Sequence, residues 1–311
     1  TCMGLKGRYN RTALCRAAEN GHLDIVNALL AAPIAKVDFT ERQETPLMLA
    51  ARKGHVDIVR VLLLHFKEEI DFRNSEGKTA LVFAVAHQHV EVAKVLIDSG
   101  ADIYPNACTE EKVRECDPLY MSVEAGSVEL VRILLAAKAN PDATMPNGGP
   151  LLIAAATSHA KDSGLLKALL MAKANTEIKD SCGDTAMCHA VRSEKLHAMK
   201  TLAEAGADVN VGDTSTGAGP LILATDRGDT EIVSILINAG ACVNATNKQG
   251  QSALMLAAGG GRLDCVKVLI AAHAAIEFRN NAGETALMQA VGKHRMGVIQ
   301  ELLRAGAYIH A

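Results

Sequence analysis

Between Glu44 and Leu64 the chain reads ETPLMLAARKGHVDIVRVLLL, with apolar residues grouped at helical spacing and polar ones between. Leu47, Leu49, Ala50 and Ala51 define a short helix. Thr45 caps its start, and Pro46 sits in a first turn, where a missing N–H costs nothing. Gly54 ends that helix, and from Val56 a second one carries Ile58, Val59, Val61, Leu62 and Leu63. Neither helix is long enough to be stable alone, and each has an apolar face left over. Such a unit needs a copy of itself on each side.

The copies are present. Residues equivalent to Thr45 stand at Thr12, Thr45, Thr79, Asp117, Gly149, Thr185, Gly219, Ser252 and Thr285, 32 to 38 residues apart. All are helix-capping types followed by Ala or Pro, and two places after the cap stands Leu, or Met187 in one copy. Further on comes a small pair, such as Ala17-Ala18, Ala50-Ala51, Ala154-Ala155 or Ala257-Ala258, that lets neighbouring helices approach closely. Self-similarity at this period predicts an all-α repeat solenoid, one continuous array over residues 1–311 with about nine helix-turn-helix repeats.

The repeat resembles the ankyrin repeat. The resemblance rests on T-P-L-x-x-A at Thr45, Pro46, Leu47 and Ala50, on Gly21-His22 and Gly54-His55, and on A-G-A-D-V-N from Ala205 to Asn210. It extends over essentially the whole chain and implies stacked helix pairs joined by β-hairpin-like finger loops. One departure is systematic. The histidine that the family usually places three residues after the cap is replaced by Cys15, Met48, Val82, Tyr120, Leu152, Cys188, Ile222, Met255 and Met288. The position is therefore expected to be an apolar packing site.

Asn/Gly-rich segments such as 247–251 and 280–284 carry the chemistry of tight turns. Two insertions break the period: a charged finger from Tyr104 to Cys116, and a few residues near Ser158 to Gly164. Insertions in solenoids map to loops, often on a binding face. Complete arrays normally carry polar capping faces, whereas this chain enters its first repeat after a short polar lead and stops at Gly306 to Ala311, where a further finger should begin; a segment of a longer polypeptide is therefore expected.

Composition narrows the picture. Half of the chain is apolar (49%), yet aromatics are 3% and tryptophan is absent, so the core must be built from Ala, Leu, Val, Ile and Met. The net charge of −3 supplies no general field for nucleic acid, and base stacking would want more aromatic platforms. Eight cysteines without a C-x-x-C pair, several inside helical patterns, favour buried thiols in a reducing, cytoplasmic setting. No apolar run reaches the ~18 residues of a membrane span.

Motifs for chemistry do not assemble. Gly77-Lys78-Thr79 resembles the end of a phosphate loop, but Phe72 stands where the first glycine is needed, and the same slot recurs as Gly183-Asp184-Thr185. Gly259-Gly260-Gly261 lacks a dinucleotide fingerprint and predicts a frayed, soft helix end. His87 with His89, and Cys182 with Cys188 and His189, do not provide four ligands at zinc spacing, so no metal is expected. No nucleophile elbow, zincin or kinase signature occurs, and the chain is expected to be neither an enzyme nor a cofactor binder.

The resemblance implies a docking surface formed by finger tips and the exposed ends of first helices. At those positions stand Tyr9, Arg11, Arg42, Arg52, Lys53, Lys78, His87, Tyr104, Arg114, Arg192, Asp226 and Arg227. Basic residues concentrate in the N-terminal third, so an acidic or mixed-charge protein or peptide partner on repeats one to four is expected, bound by a monomer. A recognition arm of a larger enzyme, channel or effector is the alternative. Leu202 to Asn210 also resembles the site of an asparaginyl hydroxylase acting on ankyrin proteins, which makes Asn210 a candidate for modification.

Overall fold

The computed structural model describes residues 12–32, 43–103, 117–145, 148–158, 163–212 and 216–309. They fall into two compact units, Thr1–Asn147 and Gly148–Ala311. Unit one contains α1 (Ala13–Asn20), α2 (Leu23–Leu30), α3 (Pro46–Lys53), α4 (Val56–His65), α5 (Ala80–Ala86), α6 (Val90–Asp98), α7 (Pro118–Glu124) and α8 (Val128–Ala136). Unit two contains α9 (Leu151–Thr157), α10 (Gly164–Met171), α11 (Ala186–Arg192), α12 (Leu196–Glu204), α13 (Pro220–Arg227), α14 (Thr230–Asn238), α15 (Ala253–Gly260), α16 (Leu263–Ala271), α17 (Ala286–Gly292) and α18 (Met296–Arg304).

In each unit the odd-numbered helices pack in one row, α1 to α7 and α9 to α17, and the even-numbered helices pack against their counterparts in α2 to α8, α10 with α12, and α14 to α18. Both units are thus all-α repeat solenoids, as the period predicts. The expected caps are observed at eight of the nine starts. Thr45 Oγ1 accepts from the Met48 N–H at 3.1 Å, and Ser252 Oγ from that of Met255 at 3.4 Å. Each such cap contributes about 1 kcal/mol.

The fifth start departs by one residue. Pro150 in extended conformation (φ −63°, ψ 139°) is the cap, not Gly149, so the buried small pair is Ala155-Ala156, and Ala154 is half-exposed. The replaced-histidine position behaves as expected: Cys15, Met48, Val82, Leu152, Cys188, Ile222 and Met255 are buried. Met288 is 39% exposed because no helix among the described residues covers the outer face of α17.

The fingers are hydrogen-bonded turns, and Thr246 and Ser252 form an isolated antiparallel bridge. In four of them an Asn or Asp side chain organises the turn. Asn74, Asp180, Asn247 and Asn280 each accept through Oδ1 from the N–H groups two and four residues on, at 2.9–3.0 Å. This is turn chemistry that Asn and Asp supply and most residues do not.

Side chains also tie each repeat to the next. His55 Nε2 donates to the Glu19 carbonyl and His89 Nε2 to that of Arg52, both at 3.0 Å. That ring fits because Gly54, left-handed at φ +81°, has no Cβ; one placed there would lie 2.6 Å from His89 Nδ1. On the opposite loops, Asp71, Glu177, Asn210, Asn244 and Glu277 accept from the backbone N–H of Asp102, Asp208, Cys242, Ala275 and Tyr308, at 2.6–2.9 Å. These bonds satisfy loop N–H groups that follow the second helices and lie outside any helix ladder.

The triple glycine does not fray its helix. α15 runs through Gly259 and Gly260, and the Gly261 N–H bonds back to Ala258 O at 3.2 Å. Arg295 Nε reaches the Gly259 carbonyl from the next repeat at 3.3 Å. The expectation of a soft end ignored this tertiary partner. The long finger from Tyr104 to Cys116 and residues 159–162 of the second insertion lie outside the described residues.

Candidate functional site

Of the residues expected to bind a partner, Tyr9, Arg11, Arg42, Tyr104 and Arg114 lie outside the described residues. The others fall into one group in each unit.

In unit one, Arg52 and Lys53 lie in the last turn of α3 and His87 caps the end of α5, while Lys78 stands in the finger just before the α5 cap, Thr79. Arg52 is held from several sides. Its guanidinium pairs with Glu44 at 2.8 Å, lies 3.7 Å from Glu19 and stacks 5.4 Å from the Phe83 ring centroid. Glu44 is almost fully buried, so the pair is structural. Lys53 is exposed, and Lys78 pairs with Glu76 at 2.9 Å across the finger turn. His87 stacks on His89 with 6.2 Å between ring centroids. Burial holds its imidazole below the ordinary histidine range, reinforced by His89 and by the positive charges of Arg52, Lys53 and Lys78.

In unit two, Arg192, Asp226 and Arg227 sit on α11 and α13. Arg192 pairs with buried Asp184, and Arg227 donates to the Arg192 carbonyl and to Glu194. Asp226 lies 3.7 Å from Arg262. Sequence reasoning missed the acids that occupy these arginines, although a register signal was available. Glu44 precedes its cap by one residue and Arg52 follows it by seven, and Asp184 and Arg192 repeat that spacing around Thr185.

Asn210 is exposed, yet its Oδ1 is the acceptor for Cys242 N–H at 2.6 Å, so it carries part of the inter-repeat ladder. The cysteines considered as metal ligands divide. Cys188 is buried; burial pushes its thiol up from the ordinary range, and Sγ faces the Val211 carbonyl at 3.4 Å. Cys182 is exposed on the finger. His189 instead meets Asp180, Nε2 to Oδ2 at 2.7 Å, in a group that the linear spacing did not suggest. Among the described residues the cysteines are free thiols, and no helix is long and apolar enough to cross a membrane.

The outer face of the last repeat is apolar. Leu287, Met288, Val291, Ile299, Leu303 and Tyr308 line an open recess of about 510 Å³.

A model of ankyrin repeats in three copies matches residues 14–107, 151–247 and 239–311. The chain belongs to the ankyrin repeat family. Among curated relatives, an ankyrin repeat and KH domain-containing protein, mask-1, of Caenorhabditis elegans is 28% identical over 76% of this chain and 8% of its own length. Glycerophosphocholine phosphodiesterase gde1 of Schizosaccharomyces pombe is 31% identical over 58% of this chain and 16% of its own. Putative ankyrin repeat protein YahD of Escherichia coli is 30% identical over 56% of this chain and 85% of its own. The chain thus spans a small part of the first two. Ankyrin repeats mark an interaction scaffold, and the stacks above are that scaffold's frame.

Proposed function

We propose that this ankyrin chain is a non-catalytic docking module whose partner is a protein or peptide presenting an acidic segment to the basic edge of α3 and α5. The observation that carries this reading is that the charges of Arg52, Lys53 and Lys78 all act on the His87 ring, while Arg52 is paired with Glu44 and Lys78 with Glu76. Lys53 and His87 are left exposed. Positive charge at an edge steers an acidic partner and sets register, more than it adds raw affinity. Arg192 and Arg227, already bonded within unit two, make a mixed-charge surface of lower reach.

Affinity capture with the full chain, followed by titration of the captured partner, tests the placement. Lys53→Glu with Lys78→Glu is expected to weaken binding at least tenfold and to flatten its salt dependence. Unchanged affinity would remove the basic edge from the interface.

A second reading has the chain as the recognition arm of a larger protein. It is favoured by the similarity to gde1, an enzyme by its name, of which the match occupies 16%. Free cysteines suit a reducing, cytoplasmic setting, in which the module acts as a monomer. Hydroxylation at Asn210 is read by one added oxygen on its peptide in native material; its absence would leave Asn210 with the ladder role alone.

A further inference from the structure

The finger that precedes Thr185 differs from its siblings at one register position. In the fingers that start at Asn247 and Asn280, the asparagine uses both ends of its amide. Its Oδ1 accepts from the turn, and its Nδ2 donates to the side chain four residues on, Gln251 or Glu284, at 3.1 Å in each case. Asp180 keeps the first function, accepting from the Cys182 and Asp184 N–H groups at 2.9 Å. It has no N–H for the second. Asp184 Oδ1 is consequently buried without a hydrogen-bond partner, on a side chain 2% exposed, while Oδ2 takes Arg192. An orphaned buried carboxylate oxygen is costly unless something cationic completes it.

His189 closes the third side. Its Nε2 lies 2.7 Å from Asp180 Oδ2, and one ligand atom from each of Asp180, Asp184 and His189 lies within 4.8 Å of the others. We propose that these three residues bind a divalent cation of the zinc class through two carboxylate oxygens and one imidazole nitrogen, with water in the fourth position. Zinc takes oxygen and nitrogen at about 2.0–2.2 Å, so tetrahedral ligand atoms stand about 3.4 Å apart. The observed spread reaches that arrangement when His189 moves off Asp180 and the longer separations close by roughly an ångström. Two carboxylates against one guanidinium leave negative charge for the ion to meet. Arg192, bonded to Oδ2 of Asp184, orients that carboxylate as outer partners of metal ligands do. The ion would clamp the finger 180–184 to α11, whichever partner the module binds.

Isothermal titration of the full chain with zinc, and cobalt(II) absorption to read donor type, test the site. The expected results are one ion per chain, a cobalt spectrum of oxygen and nitrogen donors without a thiolate charge-transfer band, and a zinc-dependent rise in Tm. Asp180→Asn places the sibling residue in the finger and keeps both turn hydrogen bonds, so it is expected to fold. With the amide in place, zinc affinity should fall at least tenfold and the Tm rise should vanish; His189→Gln should do the same, and Cys182→Ser should change neither. No binding, equal affinity in the wild type and Asp180→Asn, or a loss confined to Cys182→Ser, would each overturn the assignment.

Discussion

Arg52 touches Glu44, Glu19 and the ring of Phe83, whereas its neighbour Lys53 reaches solvent. Truncating the first takes a paired cation from the buried Glu44 carboxylate. Arg52→Ala is therefore expected to cost about 2–4 kcal/mol in chemical denaturation, below the fully buried limit because Arg52 is partly exposed. Lys53→Ala should stay within about 0.5 kcal/mol, as surface changes do. The pair separates folding from docking: only the lysine should alter partner affinity without altering stability. His87 adds a pH signature. Its folded-state affinity for a proton is depressed, so the unfolded chain binds the proton more readily. The stability it contributes is whole above the unfolded value near 6.5 and is lost as pH falls through that value towards the folded one. An acidic partner reverses the field at the ring, so affinity should rise as pH falls from 7.5 to 6, and His87→Gln should flatten that profile.

At the scale of elements, α15 carries two glycines inside the helix and one beyond it, and their roles differ. A Cβ at Gly259 would meet Gln289 Oε1 at 3.4 Å, an ordinary contact, in a backbone that alanine prefers. Gly259→Ala should stabilise by about 0.5–1 kcal/mol. Gly261 has φ +75° and a Cβ there would lie 2.8 Å from Arg295 Cδ, so Gly261→Ala should destabilise by about 1 kcal/mol or more. Thermal melts of the two variants moving in opposite directions would check both. On the loop side, Asn210→Ala leaves the Cys242 N–H without its acceptor and should cost about 1 kcal/mol.

At the scale of the molecule, stability in a repeat array is a sum of repeat terms and nearest-neighbour interfaces. In unit two, α17 and α18 have an interface on one side only among the described residues, and Val291 is 52% exposed where its counterpart Ala258 is 0% exposed. Native-state hydrogen exchange should therefore give the lowest opening free energy in α17 and α18 and higher values in α13 to α16. Uniform protection across the unit would contradict nearest-neighbour control.

The helix pairs, their caps and their buried positions were legible in the chain because they depend on local spacing. A cap at Thr45, a leucine two residues on and a small pair after it mean the same thing wherever they recur. Even there one start slipped: the local rule selects Gly149, yet Pro150 is the cap and Ala155 and Ala156 are the buried pair. Which charges are available was not legible. Arg52 and Lys53 are adjacent basic residues in the sequence, and only the fold brings buried Glu44 and Glu19 to the first and neither to the second. The meeting of Asp180, Asp184 and His189 is of the same kind, because a turn and a helix start fold nine residues back on themselves. Periodicity reports which faces are covered; the pairing of polar atoms depends on distances that only tertiary structure sets.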